Sequence, residues 1–333
     1  MTDNTAPISG QGAGVGRSAR AALRVRALGQ TALPVLTVVV ALLGLWYLAC
    51  IPMNAAQSVL TASRAGIEVM PESPRDRRGM SGAALALANP GPAVAGAFAQ
   101  DRPRLPAPHQ VAIELWNSTA TVSPTSNRSL VYHAWVTMSA TLTGFVIGTS
   151  LGILLAVGIV HSRVMDMSVM PWAIVSQTVP IIAIAPMIIV VLYSVGVEGI
   201  LPKAVISAYL SFFPVVVGMV KGLRAPDAMQ LDQLRTYAAS RAQTFFKLRL
   251  PSSTPYLFAS LKIGIAASLV GAIVGELPTG AVAGLGARLL AGSYYGQTVQ
   301  IWSALFGAAI LAALAVGVIG VIERVALRRM GLR

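Results

Sequence analysis

Six apolar stretches, each about twenty residues long, constrain the fold of this chain more than any other feature. A helix needs about twenty apolar residues to cross the hydrocarbon core of a bilayer, and backbone groups left unpaired in lipid are too costly to tolerate. The sequence therefore predicts an all-α integral membrane protein with six transmembrane helices. The predicted spans cover approximately residues 34–52, 136–160, 169–193, 200–220, 257–277 and 301–322.

The composition agrees with a membrane protein and excludes an ordinary soluble domain. Apolar residues make up 55% of the chain, charged residues only 11%, and the mean hydropathy is +0.69. The net charge of +13 could suggest nucleic-acid binding. That function requires a basic face with interleaved aromatic residues in a soluble domain, which the sequence lacks. We therefore expect membrane lipid, and no nucleic acid, as a partner.

Metal binding is not expected either. The histidines His109, His133 and His161 are far apart along the chain and fall on different sides of the predicted membrane. The single cysteine, Cys50, cannot form a thiolate cluster or an internal disulfide.

The distribution of basic residues predicts the orientation of the chain. Four arginines precede the first span and four follow the last, and basic residues near the spans mark the cytoplasmic side. Both termini are therefore expected in the cytoplasm, with residues 1–33 as a flexible basic tail and residues 326–333 as a second basic tail. The run at 34–52 is interpreted as a retained N-terminal anchor helix, because no small-x-small cleavage site follows it.

The segment at 53–131 is predicted to be a periplasmic linker rich in proline and alanine. It contains seven arginines yet lies outside, which is tolerable because loops longer than about 60 residues translocate largely regardless of charge. Its first part, 53–110, has few large apolar residues to build a core, so poor order is expected there.

Two of the spans carry packing or kink signals. Gly144, Gly148 and Gly152 recur every four residues, which clears one helix face for close contact with a neighbouring helix. In the next span, Pro180 and Pro186 free backbone carbonyls and predict a kink. Such a break is tolerated beside packed protein or beside a wet cavity, and the sequence leaves both interpretations open.

Few polar residues in the spans are candidates for a substrate path or gate. Lys262 lies near the cytoplasmic end of its span and can snorkel to the interface. Glu276 lies near the other end of that span, where it either serves a gate or caps and pairs helices. The candidates for a path or gate are Ser176, Gln177, Pro180, Tyr209 and Glu276.

A polar, basic segment at 221–256, called the coupling segment below, separates two of the predicted spans. Asp227 with Gln230, and Ser240 with Gln243, each have the spacing of a capping box, so two short helices joined by a tight bend are expected. Apolar residues recur on both at intervals of three to four, and such a strip needs a partner.

The chain lacks the residues that drive chemistry or ion coupling. None of its four lysines follows a glycine as in a phosphate-binding loop, and paired catalytic carboxylates, a nucleophile elbow and a zinc helix are absent. The spans hold too few ionisable groups for a typical ion-coupled carrier or an intramembrane enzyme. The driving force is thus expected from another subunit, with a secondary transporter or channel that works without an ATPase as the alternative.

The coupling segment and its flanks resemble a known family. The run LDQLRTYAASRAQTFFKLRLPSSTPYLFASL at 231–261 resembles the EAA loop of permease subunits of bacterial ABC importers. Three further runs resemble the nitrate, sulfonate and taurine branch of this family, which includes vitamin and pyrimidine-precursor importers. These runs are HAWVTMSATLTGFVIGTSLGILLAVGI, VPIIAIAPMIIVVLY, and ASLVGAIVGE followed by GLGARL.

The resemblance implies a five-helix permease core at 132–325 in addition to the anchor helix, located in the bacterial inner membrane. It implies a homodimer that works with a dimer of ABC ATPase subunits and a periplasmic substrate-binding protein. ATP and Mg are then bound by the ATPase, and this chain carries no cofactor and is not itself an enzyme. A coupling helix would dock into a groove on the ATPase.

The match within the coupling segment is uneven. The residues expected to couple to the ATPase are Asp232, Leu234, Arg235, Tyr237, Ala238, Ala239, Ser240, Arg241, Phe245, Leu250 and Pro251. Leu234, Tyr237 and Phe245 are predicted docking contacts, and Arg235 and Arg241 are predicted rim charges. Asp232 to Leu234 replace the family's Glu-Ala-Ala, and Ala238 replaces a glycine. Ala238 must therefore adopt ordinary helical angles, with the bend at Ser240, or bear strain.

The substrate is expected to be a small polar or heterocyclic solute. The candidate path residues include one carboxylate and no basic cluster, which mildly disfavours nitrate or a sulfonate and favours a vitamin or pyrimidine precursor.

Overall fold

A computed structural model of the chain describes residues 15–278 and 280–331, with side chains from residue 33 onward. Throughout these residues the regular secondary structure is helical and contains no β-strand, which confirms the predicted all-α class. The chain divides into two compact units, residues 1–108 and 109–333.

The part of the first unit that the structure describes, from residue 15 onward, contains four helices. They are α1 (Val15–Arg64), α2 (Pro74–Gly79), α3 (Gly82–Ala88) and α4 (Pro90–Ala97). Because α1 begins at Val15, the part of the predicted flexible tail from there to residue 33 is helical. The prediction for residues 1–14 lies outside the described residues.

Short helices, rather than poor order, occupy much of the predicted linker at 53–110. The sequence alone did not indicate that polar side chains and alanines hold this segment together in place of large apolar residues. Asn54, which is fully buried, donates to the carbonyls of Ala97 (3.0 Å) and Leu105 (2.8 Å) and accepts from the Leu105 amide (3.1 Å). Asn89 similarly bonds both backbone groups of Met70 at 2.7 Å. Each asparagine therefore ties together segments that are distant in sequence.

The second unit contains ten α-helices and two π-helical turns. Before the coupling segment lie α5 (Pro108–Trp116), the π-turn Asn117–Thr121, α6 (Leu130–His161), α7 (Arg163–Ser176), α8 (Ile181–Ser194) and α9 (Leu201–Leu223). From there onward come α10 (Ala228–Thr236), α11 (Arg241–Thr244), the π-turn Phe245–Arg249, α12 (Leu250–Glu276), α13 (Leu285–Tyr294) and α14 (Thr298–Arg329).

The predicted glycine face of α6 packs directly on α9. A Cβ added to Gly144 would lie 2.5 Å from the Ala204 carbonyl oxygen, and one added to Gly148 would lie 2.7 Å from that of Ala208. Both distances are shorter than any stable contact, so only glycine permits this approach. The predicted packing seam is confirmed, and its partner is α9.

Buried hydroxyl groups link α12 to both α6 and α9. The Ser207 hydroxyl donates to the Ser268 carbonyl (2.5 Å), and the Ser268 hydroxyl donates to the Thr141 carbonyl (2.8 Å). All three side chains are fully buried. Small hydroxyl residues at close helix contacts are typical of membrane proteins, and here they join the three helices that form the centre of the unit.

Five of the described helical segments are long and apolar enough to cross a membrane, and a bent pair would make six. The five are Leu33–Arg64, Leu130–His161, Leu201–Leu223, Arg241–Glu276 and Thr298–Arg329. The predicted span at 169–193 is not one kinked helix. It is the pair α7 and α8, bent by 102°, because Pro180 is extended (φ −61°, ψ 121°) and ends the helical path.

Candidate coupling segment and translocation path

Both predicted capping boxes in the coupling segment are present. The Asp227 amide donates to Gln230 Oε1 (3.2 Å) at the start of α10, while the Asp227 carboxylate accepts in return from the first turn of the helix. At the start of α11, the Ser240 amide donates to Gln243 Oε1 (2.8 Å), and the Gln243 amide donates to Ser240 Oγ (3.2 Å). The second helix is not separate, because Arg241–Glu276 continues through the π-turn as one membrane-crossing helix.

The bend between α10 and α11 falls at Ala238, which has a left-handed backbone (φ 53°). The Ala238 amide donates to the Arg235 carbonyl (2.9 Å), and the Ala239 amide donates to the Leu234 carbonyl (3.0 Å). This is the Schellman pattern that ends helices, with Ala238 at the position that glycine usually occupies. Of the two alternatives left open by the sequence, Ala238 therefore bears the strain.

The same substitution, alanine to glycine, is expected to change local stability differently at two nearby positions of the coupling segment. Ala238→Gly removes the strain of the left-handed backbone, about 1–2 kcal/mol. Part of this gain in stability is lost, because glycine adds conformational entropy to the unfolded chain. Ala242→Gly, in the ordinary helical backbone of α11, removes helix propensity of up to about 1 kcal/mol. Amide hydrogen exchange across 228–249 should therefore slow or stay level in Ala238→Gly and accelerate in Ala242→Gly. Faster exchange in Ala238→Gly would contradict the strained bend.

The predicted coupling residues divide into exposed and internally packed groups. The exposed ones are Asp232, Arg235, Tyr237, Ala238, Ser240 and Arg241, and the half-buried ones are Leu234, Ala239, Phe245, Leu250 and Pro251. Arg235 pairs with Asp232 at 2.8 Å, and both side chains are largely exposed, so the pair adds little stability.

Phe245, a predicted docking contact, is half-buried in the permease. Its ring lies 5.3 Å from the His161 ring, centroid to centroid, and packs against the buried cluster that includes Met219 and Leu223. The next residue, Phe246, is 65% exposed, and Tyr237 is 73% exposed. Met229 on α10 is exposed as well. The sequence could not distinguish the two adjacent phenylalanines, because only the π-turn decides which one points outward.

Glu276 is fully buried at the end of α12. Its carboxylate accepts from the Thr137 hydroxyl (2.8 Å) and from the Gly286 amide (2.7 Å). Thr137 Oγ1 accepts in turn from the Leu285 amide (2.8 Å). The carboxylate thus accepts a hydrogen bond at the start of α13 and links α6, α12 and α13. These contacts agree with the capping and helix-pairing role, which the sequence left open as the alternative to a gate.

Two glycines at the start of α13 make this contact possible. A Cβ on Gly284, which has a φ of 129°, would lie 2.3 Å from the Glu276 carboxyl carbon. A Cβ on Gly286 would lie 2.4 Å from the Ile273 carbonyl oxygen. Burial raises the pKa of Glu114 on α5, and the positive charge of Arg288 on α13 partly offsets this effect.

The remaining candidate path residues lie together at the break between α7 and α8. The Tyr209 hydroxyl donates to the Ser176 carbonyl. Gln177 follows at the end of α7, where its Nε2 is buried and has no hydrogen-bond partner in the described part of the chain, and Pro180 is exposed at the start of α8. The structure therefore brings Ser176, Gln177 and Tyr209 together.

The fold and these features define a multi-pass α-helical membrane protein with a polar helical connection between two spans. The comparison with known families is specific. Residues 148–331, more than half of the chain, match the family described as binding-protein-dependent transport system inner membrane component. The chain belongs to this family. It is the permease of an ABC importer, a transport component of the inner membrane rather than an enzyme.

Individual relatives agree with that assignment. The chain is 28% identical over 224 residues to the riboflavin transport system permease protein RibX of Chloroflexus aurantiacus, covering 67% of this chain and 80% of RibX. It is 31% identical over 154 residues to the formylaminopyrimidine transport permease protein ThiX of Halalkalibacterium halodurans, covering 46% of this chain and 60% of ThiX. The putative aliphatic sulfonates transport permease protein SsuC of Bacillus subtilis is 23% identical over 58% of this chain and 68% of its own length.

Proposed function

We propose that this permease works as a homodimer with two ABC ATPase subunits and a periplasmic substrate-binding protein, with both of its termini in the cytoplasm. ATP and Mg are bound by the separate ATPase, and this chain contributes no cofactor site. The coupling segment corresponds to the EAA loop. The observation that carries the proposal is the exposure of three large apolar side chains on the coupling segment, Met229, Tyr237 and Phe246. Exposed aromatic side chains of this kind suit a groove on a partner protein.

The connections of the coupling segment suit the transmission of movement. At one end it follows α9, and at the other it continues without a break into α12. Arg249 Nη1 donates to the Leu223 carbonyl at 3.1 Å, so the two ends are also joined to each other. Displacement of α10 by a closing ATPase would therefore move α9 and α12 as a unit. We infer that the chain's function is mechanical, a switch of the path between two orientations.

The proposed substrate is a small heterocyclic solute such as a vitamin or pyrimidine precursor. The relatives named for riboflavin and formylaminopyrimidine transport support this class. A sulfonate or nitrate is the second candidate, because relatives named for those solutes are also similar. Ser176, Gln177 and Tyr209 are the proposed polar contacts of the path.

Reconstitution separates this proposal from a carrier that needs no ATPase. Proteoliposomes containing the permease, its ATPase and the substrate-binding protein should take up the solute that the binding protein retains, and only with ATP inside. Permease alone should not transport that solute along a proton or sodium gradient. Gradient-driven uptake by permease alone would establish the secondary transporter instead. A binding screen on the substrate-binding protein identifies the solute beforehand.

A further inference from the structure

The first unit contains a cavity of about 540 Å³ whose charged residues are all basic. Arg64 at the end of α1, Arg77 and Arg78 on α2, and Arg104 after α4 line it. Among the residues that the structure describes, its other polar lining residues are Gln57 and Thr61, and none is an aspartate or glutamate. The size suits a small molecule.

These four arginines have no ion-pair partner among the residues that the structure describes. Arg77 is the half-buried one, and the other three are exposed at the rim. Arg77 Nη1 is fully buried without a hydrogen-bond partner, and its Nη2 reaches only the Glu72 carbonyl, at 3.5 Å. A buried guanidinium nitrogen without an acceptor is costly unless a ligand supplies one.

The walls of the cavity are fixed by the rest of the unit. Asn54, two residues before the first lining residue of α1, holds the backbone of Leu105, which is next to Arg104. Asn89 holds Met70 in the connection that leads to α2. Buried hydrogen bonds elsewhere in the unit therefore hold the segments that carry these arginines around one cavity, although the positive charges repel one another.

The cavity begins just beyond the apolar part of α1. Its lining on α1 runs from Ala56 to Arg64, about 6 to 18 Å along the helix axis beyond residue 52, the end of the predicted span. The polar layer of a bilayer is about 5–8 Å thick on each side. With the predicted span end at residue 52, the cavity is expected at the headgroup level and beyond it, and its apolar wall includes Val59, Leu60 and Leu85.

We propose that this cavity is a binding site for the phosphate group of a small or amphiphilic molecule, with Arg77 as the central contact and Arg64, Arg78 and Arg104 at the rim. Guanidinium groups bind phosphate oxygens through paired, charge-assisted hydrogen bonds. The phosphate comes from a lipid headgroup or from a free phosphate ester. Both have the same chemistry at the site, and the apolar wall accommodates the uncharged part of either.

The test uses the full-length permease and two phosphate probes. Glycerol 3-phosphate is titrated calorimetrically into protein in neutral detergent, and phosphatidylglycerol retained from mixed nanodiscs is measured by native mass spectrometry. Arg77→Gln and, separately, Arg104→Gln should each weaken binding about tenfold, as expected for one charge-assisted contact. Arg75→Gln is the matched control, because Arg75 is an exposed arginine of the same helix that does not line the cavity.

The outcomes are distinct. Binding of glycerol 3-phosphate assigns the site to a free ester, and binding of phosphatidylglycerol alone assigns it to lipid. If Arg77→Gln fails to fold, the binding measured for Arg104→Gln provides the test, because Arg104 is exposed. The proposal is overturned if the parent binds neither probe, if Arg104→Gln binds as well as the parent, or if Arg75→Gln loses as much affinity as the cavity variants.

Discussion

Replacing Tyr237 and Phe246 together with aspartate should lower ATP-dependent uptake by at least about tenfold, because a few buried aromatic contacts carry most of the free energy of a typical protein interface. Both side chains are largely exposed in the permease, at 73% and 65%. Their loss should therefore leave the permease itself folded. The measurement is uptake by proteoliposomes that contain the whole transporter, together with the amount of ATPase that co-purifies.

Two variants serve as controls for this result. Leu87→Asp makes the same kind of change at an apolar side chain that is 83% exposed on α3, in the other unit, and uptake should stay unchanged. Phe245→Asp should instead reduce the yield of folded permease, because that ring packs internally. Normal uptake and normal co-purification in the Tyr237 and Phe246 double variant would contradict the docking role.

Replacing Glu276 with alanine should produce the largest loss of stability in the second unit. The Thr137 hydroxyl and the Gly286 amide would both lose their buried acceptor, and each such group costs about 1–3 kcal/mol. The truncated side chain also leaves a cavity. The expected total is a destabilisation of about 3 kcal/mol or more, measured as thermal unfolding of the purified permease in detergent.

The exposed Glu198 provides the matched control, and Glu198→Ala should unfold at the parent temperature. Glu276→Gln should fall between the two, because the amide keeps the shape but offers one acceptor oxygen instead of two. An unchanged unfolding temperature in Glu276→Ala would show that the carboxylate does not hold α13 to α6 and α12.

Local signals in the sequence predicted much of the membrane fold. The apolar stretches, the glycine spacing on α6 and the two capping boxes each depend on residues a few positions apart, and all appear in the structure. The proline-rich break was located correctly, but its 102° bend was not predicted, since prolines indicate where a helix ends and not the direction of the next one.

Features that depend on distant residues could not be predicted. The partners of Glu276 lie on α6 and α13, and Thr137 is 139 residues away in sequence. Asn54 holds the predicted linker together through hydrogen bonds to Ala97 and Leu105, which lie 43 and 51 positions later in the sequence. The backbone of Ala238 was undecided because alanine is compatible with an ordinary helix as well as a strained bend.

Disulfide cross-linking would show directly whether the coupling segment docks on the ATPase. The only cysteine of the chain, Cys50, is buried and can be replaced by alanine to give a cysteine-free background. Single cysteines are placed at Tyr237, Phe246, Phe245 and Leu87, and cysteines are introduced around the groove of the ATPase. If the segment docks as proposed, cross-links form from positions 237 and 246, and none form from 245 or 87. Cross-links from 87, or equal yields from 245 and 246, would contradict this docking.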